Sequence, residues 1–112
     1  MRHVFDEATR AAEAGIKRAA DNAGASWVAI AADELGWAAS RADASEFTVE
    51  ELRWYIRTHG DEIAEPPDLR AWGAATQRAA RMGFIVRTGH FARAASSNGS
   101  PKPLYRFGRW PA

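Results

Sequence analysis

The residues best placed to do chemistry are arginines in the last part of the chain, and the chemistry they suit is anion recognition. On a helix over residues 69–82, at 100° per residue, Arg70, Ala74, Gln77 and Arg81 fall on one side, flanked by Arg78. Trp72, Thr76, Ala79 and Gly83 fall on the other, flanked by Ala75 and Met82. A guanidinium donates two hydrogen bonds to a guanine edge, and a glutamine amide pairs with adenine. The same arginines equally hold phosphate, which positions a protein without reading sequence. Ala74 is small enough to let that face approach a groove. Arg87, Arg93, Lys102, Arg106 and Arg109 follow on a second apolar-basic segment, where each phosphate contact adds about one unit to the salt dependence of binding.

The net charge of +1 conceals this arrangement. Residues 1–68 carry 7 Lys/Arg and 14 Asp/Glu, a balance of −7, whereas residues 69–112 carry 8 Lys/Arg and no carboxylate side chain, a balance of +8. A polyanion is repelled by the first part and attracted by the second. Solvated helix faces are ordinarily charged too, but they mix signs, and the face over 69–82 does not.

Other chemistries find little support. The chain has no cysteine, which excludes disulfides and thiolate zinc sites. His3, His59 and His90 are scattered, and His59-Gly60-Asp61-Glu62 reads as a solvated turn rather than a metal site. Ser96, Ser97 and Ser100 lie in a loop without the positioned base that a nucleophile needs. No glycine-rich phosphate loop precedes a helix. The expectation is therefore a protein that is not an enzyme and takes no cofactor and no metal. No apolar run approaches the roughly 20 residues of a membrane span, and the N-terminus lacks a signal-peptide pattern. A cytoplasmic protein with no membrane partner is expected.

These arginines need elements to hold them. The spacing predicts an N-terminal helix over 6–23, with Phe5, Ala8, Ala12, Ile16 and Ala19 on one stripe. A second helix over 26–42 is capped by Ser26 and buries Val28, Ala31, Leu35, Ala38, Ala39 and Ala42. Trp27, Ile30 and Trp37 lie off that stripe and suggest a second buried surface, for the N-terminal helix or for another subunit. Phe47-Thr48-Val49-Glu50-Glu51-Leu52 is a capping box with a hydrophobic staple. It opens a helix over 48–59 that stops at Gly60, with Val49, Leu52, Ile56 and His59 inward and Trp54 partly exposed. After the break at Pro66-Pro67, Asp68 caps the helix over 69–82. Two apolar runs, 84–91 and 103–110, then read as a hairpin with a loop at 94–101. Of the aromatics Phe91, Tyr105, Phe107 and Trp110, base stacking is conceivable, but core packing is the expected role of most.

The order of elements predicts one domain over 1–112, mainly α with a C-terminal β-hairpin: a winged helix-turn-helix preceded by an extra N-terminal helix. In that fold the helix before the hairpin enters the major groove, and the hairpin, over 84–110, is the wing. The expected ligand is double-stranded DNA. The residues expected to meet it are Arg70, Ala74, Gln77, Arg78, Arg81, Arg87, Arg93, Lys102 and Arg106. A homodimer reading two half-sites and a host protein partner remain open. So does a protein-interaction module, or an inhibitor of a host defence protein, built on the same scaffold, because fold does not decide function.

The runs FTVEELRWYI, PPDLRAWGAATQRAARMGFIVRTG and KPLYRFGRW resemble small winged-helix proteins encoded by phages and prophages. The resemblance covers about 65 residues of the C-terminal part, through Phe47-Thr48, Arg70 to Ile85, and Leu104 to Trp110. It implies a role in phage DNA metabolism, as a transcriptional regulator or as an accessory factor in replication or recombination, in the host cytoplasm. It also implies that Arg70, Arg78 and Arg81 sit on the recognition helix.

Overall fold

The computed structural model describes residues 24–60, 63, 65, 66, 68–93 and 101–110. The helix expected over 6–23 and most of the expected loop lie outside the described residues. The elements in chain order are α1 (Ala25–Arg41), α2 (Val49–His59), α3 (Ala71–Arg81), β1 (Ile85–Arg93) and β2 (Pro101–Phe107). The class is mainly helical with a C-terminal antiparallel hairpin.

The centre of the core is built from small residues. α1 buries Ala31, Ala32, Leu35, Gly36, Ala38 and Ala39, and α3 buries Ala71, Trp72, Ala75 and Ala79. Alanine removes little apolar area by itself, so these helices gain cohesion by letting their backbones approach and larger neighbours fill the gaps. Phe84, Leu35 and Ile85 are the largest side chains fully removed from solvent; each such burial contributes about 1.5–3 kcal/mol. α1 packs against both α2 and α3. Its off-stripe tryptophans are satisfied by those two helices. Trp27 meets Trp72 edge-on, with ring centroids 5.1 Å apart, and Trp37 lies 5.4 Å from Tyr55. Ile30 stays exposed. The N-cap of α1 is Gly24, with no side-chain cap bond, so Ser26 does not cap the helix as expected.

α2 follows its sequence signals closely. Thr48 Oγ1 accepts the Glu51 N–H at 3.2 Å, and Glu51 Oε1 accepts the Thr48 N–H at 2.8 Å. These bonds satisfy donors that a helix start otherwise leaves unpaired. Phe47 and Leu52 are both buried beside the cap. The expectation for His59 is corrected: it is exposed and stacks on Tyr55, with centroids 4.5 Å apart. The core stripe of α2 ends at Ile56, and the last turn projects beyond it.

α3 begins at Ala71, two residues later than expected. Asp68 Oδ1 accepts the Arg70 N–H at 2.9 Å. The N–H groups of Ala71, Trp72 and Gly73 donate to the carbonyls of Asp68, Leu69 and Arg70, three residues back. That tighter turn precedes the helix proper. At the other end Gly83 adopts φ 82°, its N–H donates to Ala80 O and the Phe84 N–H to Ala79 O. This is a Schellman stop, and it delivers the chain directly into β1.

The hairpin runs from Ile85 opposite Phe107, through Arg87 opposite Tyr105, to Arg93 opposite Pro101. Both strands reach nearer the turn than expected, and β2 stops at Phe107 rather than Trp110. Between Arg87 and Phe91 the register shifts: Thr88, Gly89 and His90 stand opposite Leu104 alone. Gly89 supplies the positive φ, 86°, that this bulge requires. Thr88 Oγ1 donates to Leu104 O and accepts the His90 N–H, both at 3.1 Å. On the other edge of β2, Phe47 and Tyr105 exchange backbone hydrogen bonds of 2.9 and 2.8 Å, which ties the start of α2 to the hairpin. Trp110 turns back onto Phe84, edge to face at 5.1 Å. No helix among the described residues is long and apolar enough to cross a membrane.

Candidate nucleic-acid interface

The tie at Phe47 brings three sequence-distant segments around one groove of about 450 Å³. Its walls are the first turn of α2, one side of α3 and the groove-facing side of the hairpin. α2 contributes Thr48, Glu50 and Arg53; α3 contributes Gly73, Thr76 and Gln77; the hairpin contributes Arg87, Lys102 and Tyr105. Three cations therefore share the lining with one carboxylate, that of Glu50.

Trp72 forms part of this lining and is itself buried. The Arg53 guanidinium carbon lies 4.9 Å from the Trp72 ring centroid, a cation–π contact that holds the charge at the groove wall. Trp72 Nε1 is buried and has no hydrogen-bond partner among the described residues. Thr76 turns its hydroxyl back to Trp72 O at 2.8 Å.

The outward face of α3 adjoins the groove. Gln77, Ala80 and Arg81 are exposed there, with Gly73 half-buried beside them. Gly73 and Ala80, small residues adjoining Gln77 on the helix surface, let a partner come close to the helix backbone.

The expected site residues divide into groups. Gln77, Arg87 and Lys102 line the groove, and Arg81 lies open on the adjoining face of α3. Ala74 is half-buried on its flank rather than central to the open face as expected, and Arg78, expected on the flank, is half-buried beside it. Arg93, opposite Pro101, stands at the far end of β1. Two placements are corrections. Arg70 precedes α3 instead of riding on it, and its guanidinium is held by Asp68. Nη2 lies 2.7 Å from Oδ2, and Nε lies 3.1 and 3.2 Å from the two carboxylate oxygens. These hydrogen bonds, with the charge of Asp68, push the Arg70 pKa up. Arg106 stands opposite Val86; like Lys102 it is out of phase with Tyr105 along β2, but unlike Lys102 it does not line the groove. Its Nη1 donates to Phe107 O at 3.3 Å. Arg109, beyond β2, donates from Nε to Met82 O at 3.0 Å.

Sequence reasoning missed Arg53. It belongs by number to the acidic part of the chain, and a charge count by halves hides it. The signal that could have found it is its place one residue after the core position Leu52, on the flank of α2 that turns toward α3. Among the described residues no group of three or more His, Asp or Glu side chains is arranged to hold a metal ion. No family model matches the chain, and no significant match emerges among curated proteins or solved structures.

Proposed function

We propose that this chain is a winged-helix protein that binds double-stranded DNA, with α2 and α3 as the helix-turn-helix and the hairpin as the wing. One observation carries the reading: Arg53, Arg87 and Lys102, from three separate segments, line one groove beside the open face of α3. Such a groove admits a phosphate strand, while Gln77 and Arg81 face the base edges. Three phosphate contacts account for a slope of about −2.7 in log K against log salt. Arg93 and Lys102 extend the basic surface along the wing. The resemblance to phage and prophage proteins supports a role in transcriptional control or in phage DNA replication or recombination, in the cytoplasm of the host.

A second reading, a module that binds a protein partner or inhibits a host protein, is favoured by Trp54, which is 62% exposed on α2. The two separate in one experiment. Fluorescence anisotropy of a labelled random-sequence duplex, titrated at several salt concentrations, should show binding that weakens steeply with salt. Arg53→Ala, Arg87→Ala and Lys102→Ala should each flatten the slope by about 0.9. Absence of binding at low salt sinks the DNA reading and leaves the protein partner.

A further inference from the structure

We infer that Phe91 is an aromatic wedge that enters the minor groove of a bound duplex and unstacks a base step. This rests on the duplex reading above and assigns one residue of that surface a specific action on DNA.

The placement of the ring carries the inference. Phe91 is 55% exposed and stands opposite Pro103, while Arg87 stands opposite Tyr105. Pro103 and Tyr105 both line the groove, so Phe91 continues the groove-facing side of the hairpin toward its turn. In a regular ladder continuing from Arg87, residue 91 would oppose Pro101. The bulge at Thr88–His90 draws Phe91 back two positions, about 7 Å nearer the groove at strand spacing. The bulge is braced from two sides. Thr88 holds Leu104 O, and His90 Nδ1 lies 2.8 Å from Glu46 Oε2 in the segment before α2. The ring is thus presented on a fixed platform.

Its surroundings select the partner. Residues 85–93 and 101–110 contain no Asp or Glu. The Arg87 guanidinium carbon lies 5.9 Å from the Phe91 centroid, and Lys102 adjoins Pro103. Among the described carboxylates, Glu46 is engaged by His90, Glu51 by the Thr48 cap, and Glu50 lines the groove. An exposed phenyl ring beside a guanidinium matches a base step beside a phosphate: the ring takes the stacking surface and Arg87 moves to the phosphate. Minor-groove proteins use apolar wedges flanked by Arg and Lys in this way, and base stacking tolerates any sequence.

The test uses random-sequence duplexes carrying the fluorescent base 2-aminopurine, whose emission rises when it is unstacked. The full chain should raise that emission on binding. Phe91→Ala should bind about tenfold more weakly, with an unchanged salt slope because no charge is removed, and should lose the emission rise. Phe91→Leu, still an apolar wedge, should retain most of both. An unchanged thermal midpoint is expected for both variants, since the ring is on the surface. Phe91→Ala binding as the wild type does, or retaining the emission rise, overturns the wedge while leaving duplex binding intact. A wild-type chain that binds no duplex overturns the wedge and the DNA reading together.

Discussion

Gly36 offers a stringent check on how the hairpin is seated. A Cβ built there would lie 2.7 Å from Trp110 Cε3 and 2.8 Å from Phe84 Cδ2, well inside contact distance. Gly36→Ala therefore sets two effects against each other. Alanine in a helix interior gains about 1 kcal/mol over glycine, while overpacking a tight core costs about 1–3 kcal/mol. Phe84 is fully buried and yields little, so the net expectation is a loss of about 0–2 kcal/mol. Gly36→Val adds bulk to the same collision and recovers less propensity, so its loss is about 2–3 kcal/mol. Urea unfolding measures both, as a lower midpoint at constant m-value. In a Trp110→Ala background the penalty of Gly36→Ala should shrink by at least about 0.5 kcal/mol, the coupling expected of residues in contact. A Gly36→Ala protein stabilised by the full propensity gain would refute the close approach and, with it, this seating of Phe84 and Trp110 on α1.

The remaining predictions concern the cap and the charges. Thr48→Ala should cost about 1 kcal/mol in the same unfolding assay, whereas Thr48→Ser should recover most of it, because serine also accepts the Glu51 N–H. Arg106→Ala should leave the salt slope of duplex binding unchanged although Arg87→Ala flattens it by about 0.9; equal effects would show that the strand register does not sort these two arginines. Asp68→Asn releases the Arg70 guanidinium and removes a carboxylate from beside α3. It should tighten duplex binding at low salt, with the gain fading as salt rises.

The sequence reveals local structure where a few neighbouring residues decide it. Thr48 and Glu51 determine the start of α2 between them, and Gly83 determines the stop of α3. The core of α3 is readable for the same reason: Trp72, Ala75 and Ala79 recur at helical spacing. What escapes reading depends on partners distant in sequence or on competing local bonds. The Asp68 carboxylate takes the Arg70 N–H and guanidinium together, so the helix starts late and an arginine expected on its face is engaged beside it. The bulge at Thr88–His90 is hidden within an apolar run, yet it places Phe91 opposite Pro103. Arg106 needs the pairing with Val86 before its face is known. Arg53 joins Arg87 and Lys102 only because Phe47 pairs with Tyr105, a contact between residues 58 apart in number that no local pattern announces.

The most direct test of the groove as the DNA seat is a ¹⁵N-resolved NMR titration of the full chain with a random-sequence duplex at low salt. The five tryptophan indoles act as separate reporters. Shifts should concentrate at the indole of Trp72, beneath Arg53, and at the backbone of residues 48–50, 73–81, 87–91 and 101–105, with the Trp37 and Trp54 indoles still. Shifts confined to Trp54 and the exposed side of α1, with Trp72 and the hairpin unmoved, would contradict it.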